Sequence, residues 1–173
     1  MIKCGGGDDG LYEDRKFEQN IQGALANGIQ VGVYFYSGAS NAREAYDEAS
    51  YCISLIRDYQ ITYPVAFDWE LDGDYDSVTE ACETFCNVIS SYGYQPMVYS
   101  NRNRWYNNFD GEKIASKYKV WMAAYFGKFY YDSVRWTYGD DLPNFRYHYD
   151  MWQYSSRCYV NGISGQVDVD ITF

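Results

Sequence analysis

Two acidic residues one position apart, Asp68 and Glu70, are the pair in this sequence best suited to acid–base chemistry. They close an apolar, β-branched and aromatic run that begins at residue 63 and predicts a buried strand. Side chains alternate along a strand, so both carboxyl groups point to the same side, separated by two residues of rise or about 6.6 Å. Barrel enzymes carry catalytic groups at the carboxyl ends of their strands. An inert, solvated strand end stays the alternative, because acid-x-acid is a common pattern.

Strands and helices alternate along the first two thirds of the chain. Apolar residues at helical spacing predict helices that begin near Phe17, Asn41 and Ser77, the last with Ser77 and Glu80 as a capping box. This alternation predicts an α/β fold with a parallel sheet, in a single domain spanning residues 1–173. The glycine-rich residues 5–10 and the aperiodic region 126–147 predict loops, the first of them flexible. The seven predicted strands lie at residues 1–4, 29–36, 63–71, 95–99, 120–125, 149–154 and 167–171.

The composition is rich in aromatic residues, which form 20% of the chain and include 21 Tyr and 5 Trp. Amphipathic rings in this number fit a core together with a groove that stacks on flat ligand faces. The net charge of −10 argues against nucleic acid as a partner, because the phosphate backbone is also anionic. The sequence shows no transmembrane run, so we expect no membrane partner.

Five cysteines occur without a CxxC pair, and the single histidine, His148, is remote from most of them. Cys82 and Cys86 lie four residues apart on a predicted helix, a spacing typical of small buried thiols. The pattern matches no metal-ligand spacing. We therefore expect free thiols, no metal and no cofactor.

Seven segments carry a resemblance that covers nearly the whole chain, and they are residues 2–5, 32–37, 64–70, 97–101, 121–125, 152–156 and 162–168. Taken in order, they resemble glycoside hydrolase family 25, the lysozymes that cut bacterial peptidoglycan. The resemblance implies a flattened TIM-like β/α barrel with an acidic groove at the carboxyl ends of its strands. That family opens with an Asp-x-Ser strand, whereas this sequence begins at what resembles the second strand. We therefore expect an N-terminally truncated barrel, with an exposed edge through which the chain self-associates.

The resemblance implies roles for three acids. Glu70 matches the general acid that protonates the glycosidic oxygen. Asp68 matches its partner carboxylate, which stabilises the developing positive charge or orients the acetamido group of the substrate. Asp168 matches an acid that lines the same groove, although it can instead end its strand, and Asp170 nearby can be the solvated residue. Because like charges favour the protonated form, we expect Asp68 and Asp72 to raise the pKa of Glu70.

Five further positions match residues that lie along or near the sugar-binding cleft in the family. Trp121 and Trp152 can equally be core residues, because aromatic side chains often fill cores. The five matching positions are Tyr34, Tyr99, Tyr125, Trp152 and Gln153.

The resemblance implies a muramidase that hydrolyses β-1,4 bonds between N-acetylmuramic acid and N-acetylglucosamine in peptidoglycan. Its partners are peptidoglycan glycan strands, which places it outside the cell or in the cell wall. The alternative is a truncated, inactive glycan-binding module, favoured by the missing strand, whereas the intact Asp68 and Glu70 favour the enzyme. An unrelated barrel enzyme acting on a small acid is a weaker alternative, because no basic cluster lies near the predicted strand ends.

Overall fold

A computed structural model describes residues 1–72, 77–131, 135–137 and 139–173. It confirms the α/β class and shows strands and helices alternating along most of the chain. The strands are β1 (Ile2–Gly6), β2 (Tyr12–Glu13), β3 (Val33–Ser37), β4 (Val65–Trp69), β5 (Pro96–Asn101), β6 (Lys119–Ala123), β7 (Met151–Cys158) and β8 (Val167–Thr172). The helices are α1 (Phe17–Ala26), α2 (Ala42–Ile56), α3 (Val78–Ser91), α4 (Arg102–Asn107), α5 (Gly111–Ala115) and α6 (Gly127–Tyr131).

The described strands form one curled, half-barrel sheet with the order β2-β1-β3-β4-β5-β6-β7-β8. The six strands from β1 to β7 in this order are parallel, as the alternation predicted. At the two edges, β2 runs antiparallel to β1 and β8 antiparallel to β7, so the expectation of a wholly parallel sheet is wrong there. Among the described residues, β2 and β8 do not pair with each other, which leaves the sheet open.

The two faces of the sheet differ in chemistry because alternate residues of each strand point to opposite sides. One face is apolar and packs against α2 and α3, with Phe35, Phe67 and Trp69 fully buried. The other face is concave and carries polar and aromatic side chains, including Tyr34 and Asp68. The central strand β4 is buried along its whole length, because it is covered on both faces and paired on both sides.

The first two glycines of the glycine-rich segment are part of the sheet, whereas residues 7–10 lie outside the described strands, so the predicted loop begins two residues later than expected. Gly5 and Gly6 belong to β1 and pair with Glu13 and Tyr12 of β2, a two-residue strand that the sequence pattern missed. A Cβ at Gly5 would lie 2.2 Å from the Tyr12 backbone oxygen, which is closer than real Cβ contacts come. The expected bare edge of β1 is therefore partly covered, and β2 leaves only the outer side of its first residues, such as Ile2, without a ladder partner among the described residues.

The helix starts follow the sequence closely, with one exception in their hydrogen bonding. Asn41 caps α2 as predicted, accepting hydrogen bonds from the backbone N–H groups of Arg43 and Glu44. Ser77 precedes α3 as predicted, but its side chain caps no N–H of that helix and instead donates to the Ser40 backbone oxygen. The capping box is therefore wrong in its bonding, because a tertiary contact takes the hydroxyl.

The region after β6 contains the short helix α6, where the sequence predicted only a loop. Residues 132–134 and 138 of that predicted loop lie outside the described residues. Among the helices that the structure describes, none is both long and apolar enough to cross a membrane.

Candidate active site

The concave face of the sheet holds a cavity of about 310 Å³. It contains all three predicted acids, together with three of the five residues predicted to bind sugar. The curl of the sheet brings these side chains together although they come from strands at both ends of the chain. The cavity is lined by Met1, Lys3, Tyr34, Tyr36, Asp68, Glu70, Tyr99, Trp121, Gln153, Asp168 and Asp170.

Asp68 is the most enclosed acid of the cavity, with 5% of its surface exposed. Its Oδ1 atom is buried and has no hydrogen-bond partner among the described residues. Burial raises the pKa of Asp68 well above its usual value, and the nearby charge of Glu70 raises it further, although Lys3 opposes both effects. These effects favour the protonated form of Asp68 relative to an exposed aspartic acid.

Glu70 follows directly after β4, and its carboxyl group faces the cavity. Arg104 fixes this turn, because its guanidinium donates to the backbone oxygens of Glu70 at 2.7 Å and Leu71 at 3.1 Å. The same guanidinium forms an ion pair with the exposed Asp72 carboxylate at 2.7 Å. The Glu70 carboxyl group accepts no hydrogen bond from the described residues, which leaves it available to a ligand.

Two acids of β8 complete the acidic side of the cavity. Asp168 lies where the sequence predicted, and Asp170, taken as its possible solvated neighbour, lines the cavity as well. Trp121 donates its indole N–H to Asp170 Oδ1 at 2.7 Å. Asp170 lies on an edge strand and keeps some solvent-accessible surface. Desolvation by the surrounding protein atoms nevertheless raises its pKa to about 6, although the hydrogen bond from Trp121 acts to lower it. Asp168 and Asp170 are two residues apart, as Asp68 and Glu70 are, and this spacing predicts that both side chains of a pair lie on the same face of their strand.

Gln153 is held by two tyrosines that approach from the carboxyl side of the sheet. The Tyr99 hydroxyl donates to Gln153 Oε1 at 2.7 Å, and the Tyr125 hydroxyl donates to the same oxygen. Burial raises the pKa of both tyrosines, so both phenols stay protonated and serve as donors. The two phenols occupy the amide oxygen of Gln153. Its NH₂ group donates to no other described residue, so it is available to a ligand in the cavity.

Trp152 does not belong to the cavity, which corrects its predicted role in binding. It is fully buried on the helix-facing side of the sheet, where its indole stacks on Phe126 with ring centroids 5.5 Å apart. Its N–H donates to the Ala124 backbone oxygen at 2.9 Å, so no polar group remains for a ligand. The tryptophan that does line the cavity is Trp121.

Lys3 and Tyr36 line the cavity although sequence reasoning did not select them. The Lys3 ammonium lies 4.8 Å from the centre of the Tyr36 ring, a cation–π distance. Partial burial acts to lower the pKa of Lys3, but the Tyr12 hydroxyl and the charge of Asp68 outweigh it and raise the pKa. Lys3 could have been selected because it is a charged residue inside a predicted strand. Tyr36 could have been selected because it is two residues from Tyr34 and therefore lies on the same face of the strand.

A known protein family matches almost the whole of this sequence. The sequence profile of Glycosyl hydrolases family 25 matches residues 1–163. The chain belongs to this family. The Autolytic lysozyme of Clostridium acetobutylicum is 27% identical over 164 residues, which cover 92% of this chain and 44% of that relative. The family 25 domain described here thus spans less than half the length of that relative.

Solved structures similar to this family 25 domain share its fold. The CTP1L endolysin superposes with a TM-score of 0.78 at 26% identity, covering 99% of this chain and 56% of that one. The modular autolysin LytC from Streptococcus pneumoniae, solved in complex with a synthetic peptidoglycan ligand, gives a TM-score of 0.76 at 28% identity. That match covers 99% of this chain and 40% of LytC.

The chemistry available in this family 25 domain is that of carboxyl groups and phenols. Its described residues contain no group of three or more His, Cys, Asp or Glu arranged to hold a metal ion. The cavity combines a buried acid whose protonated form is favoured with a second acid that reaches the ligand space, and carboxyl groups placed in this way can transfer protons to and from a bound molecule.

Proposed function

We propose that this domain hydrolyses the β-1,4 bonds between N-acetylmuramic acid and N-acetylglucosamine in bacterial peptidoglycan. The observation that carries the proposal is the pairing of buried Asp68 with cavity-facing Glu70 in a tyrosine-lined groove. Membership of family 25 and the similarity to the Autolytic lysozyme support it. Peptidoglycan glycan strands are then the partner, and the site of action is the cell wall or the space outside the cell.

Glycoside hydrolysis needs an acid that protonates the leaving oxygen and a carboxylate near the oxocarbenium-like centre. Glu70 is the proposed general acid, because its carboxyl group faces the ligand space without a hydrogen-bond partner among the described residues. Asp68, beside it, is proposed to stabilise the developing positive charge or to orient the acetamido group. Asp168, an exposed residue whose pKa is raised by desolvation from the surrounding protein atoms, faces the same space from β8.

The stereochemical course is left to experiment, because the strand spacing fits neither standard geometry. Two residues of rise give about 6.6 Å, between the carboxyl separations of retaining and inverting enzymes. Participation of the substrate's own N-acetyl group is a third route. Proton NMR of the first product anomer distinguishes inversion from retention.

Substrate binding is proposed to use Tyr34, Tyr99 and the free amide of Gln153. Phenol rings offer flat faces for sugar rings, and burial raises the pKa of Tyr34 so that its hydroxyl stays a donor. Tyr125 contributes by holding Gln153 from the neighbouring side. The solved complex of LytC with a synthetic peptidoglycan ligand supports a glycan as the occupant.

The test is the Glu70→Gln variant, which keeps the shape of the side chain and removes its titratable proton. We expect the release of reducing ends from purified peptidoglycan to fall at least about 100-fold, the usual scale of general acid catalysis. The matched control is Glu112→Gln, an exposed position on α5 outside the cavity. Mass spectrometry of the products identifies which sugar carries the new reducing end.

Two outcomes would contradict the proposal. Parent-like activity in Glu70→Gln would remove Glu70 from its role. A parent chain that binds peptidoglycan but releases no reducing ends would favour the alternative, a glycan-binding module without turnover.

A further inference from the structure

A second cavity, of about 260 Å³, lies beside the first at the carboxyl ends of β5 and β6. Tyr125 stands between them, because its ring lines the second cavity while its hydroxyl bonds Gln153 in the wall of the first. A substituent on a sugar bound in the first cavity therefore has the second cavity as its neighbour. The second cavity is lined by Asn101, Arg102, Asn103, Ala123, Ala124, Tyr125 and Phe126.

Arg102 gives this cavity a positive charge that the described residues do not neutralise. Its guanidinium donates a 3.4 Å hydrogen bond to the Asn144 backbone oxygen, and no carboxylate among the described residues lies within salt-bridge distance. Arg104, two residues on, is by contrast fully engaged with the turn after β4 and with Asp72. An exposed, unpaired guanidinium is notable in a chain whose net charge is −10.

The asparagines beside Arg102 add further donors. Asn101 accepts the Arg104 backbone N–H through its side-chain oxygen, which leaves its NH₂ group to donate elsewhere. The Asn103 side chain makes no hydrogen bond to the described residues, so it too is available. A guanidinium flanked by amide donors suits a carboxylate, since charge-assisted hydrogen bonds to carboxylates are among the strongest in proteins.

We propose that the second cavity binds a carboxylate of the short peptide that peptidoglycan carries on its glycan strands. The inference rests on the proposed function, since the glycan must occupy the first cavity for its peptide to reach the second. Arg102 supplies the ion pair, and Asn101 and Asn103 supply neutral hydrogen bonds. The chain thereby distinguishes peptide-bearing glycan from bare glycan.

The primary test is calorimetric titration with two soluble ligands, a disaccharide–peptide fragment of peptidoglycan and the same disaccharide without its peptide, its lactyl carboxyl group capped as a neutral amide. We expect the parent to bind the peptide-bearing ligand about fivefold more tightly, the size of a partly exposed ion pair, and Arg102→Gln to remove that preference. The preference should also disappear at high salt, because exposed charges are screened. Arg43→Gln, an exposed arginine of α2 paired with Asp47, is the matched control and should keep the preference.

The second readout is hydrolysis of intact peptidoglycan and of glycan strands stripped of peptide by an amidase, with the lactyl carboxyl groups that the amidase releases capped as neutral amides. Arg102→Gln should lower kcat/KM about fivefold on the intact polymer and leave it unchanged on the stripped one. Equal losses on both polymers, or a ligand preference that survives Arg102→Gln, would overturn the inference. A parent chain that cleaves neither polymer defeats the proposed function, and the binding titration still decides the role of Arg102 in that case.

Discussion

Replacing Glu48 by Gln should make the folding stability of this domain less dependent on pH. Glu48 lies on α2 with 3% of its surface exposed, beneath the turn that follows β3. Its carboxylate accepts the Ser37 hydroxyl at 2.5 Å and the Gly38 backbone N–H at 2.9 Å. Burial raises its pKa to about 7 against these two hydrogen bonds, and the charges of Glu44 and Asp8 add to the increase.

The sign of the effect follows from which state ionises first. The unfolded chain loses the Glu48 proton near the ordinary pKa of 4.5, whereas the folded chain keeps it until about 7. The stabilisation is therefore complete below pH 4.5, declines as the pH rises towards 7, and is lost above it. At about 1.4 kcal/mol per pKa unit, the loss for this buried group is on the order of 3 kcal/mol.

The assay is urea unfolding of the parent and of Glu48→Gln at several values between pH 4.5 and pH 8. Gln cannot ionise, and its amide keeps an oxygen for Gly38 and an N–H for the Ser37 oxygen, so the variant should fold. We expect the parent to lose on the order of 3 kcal/mol more stability over this range than the variant does. The control is Glu18→Gln, an exposed position on α1.

Comparing how steeply the unfolding free energy of parent and variant changes with pH separates the contribution of Glu48 from that of the other acids with raised pKa values. Asp68 and Asp170 also have raised pKa values, and they contribute the same pH dependence to parent and variant. Identical slopes for the parent and Glu48→Gln would refute the assignment of a buried, proton-holding carboxyl to Glu48.

All five cysteines are buried and none is in a disulfide, so titration with a thiol reagent should find close to five thiols under denaturing, non-reducing conditions and very few in the native protein. A count near three would instead mean that one disulfide had formed, and Cys4 and Cys52, whose sulfur atoms lie 3.8 Å apart, are a candidate pair. The outer side of β1 near Ile2 lacks a strand partner among the described residues, so size-exclusion chromatography should show concentration-dependent self-association. A monomer at all concentrations would contradict that prediction.

Residue alternation explains why much of the site could be predicted from the sequence. Asp68 interrupts an apolar run and so identifies the polar face of β4, and Glu70 follows on the same side. The same rule explains the error at β7, where Trp152 and Gln153 were both assigned to the cleft. Consecutive strand residues point to opposite faces, and the polar one, Gln153, is the one in the cavity.

Other features depend on tertiary contacts that no local pattern encodes. The strand β2 exists because Tyr12 approaches β1 at positions that have no Cβ, a relation between segments rather than within one. The Ser77 hydroxyl could bond either to an N–H group of its own helix or to the Ser40 carbonyl. In the structure it donates to the Ser40 carbonyl, a contact between distant segments. The ion pair of Asp72 is a further example, because its partner Arg104 belongs to α4, 32 residues further along the chain.

The division of the sheet into an apolar and a polar face has a consequence for how this protein can diverge. Residues that line the cavity and residues that pack in the core alternate along the same strands, as Tyr34 does with Phe35 and Gln153 with Trp152. Selection for recognition of a different ligand can therefore change the cavity-lining positions while the core-facing positions stay constant. A lineage can change what it recognises in single mutational steps, without passing through poorly folded intermediates.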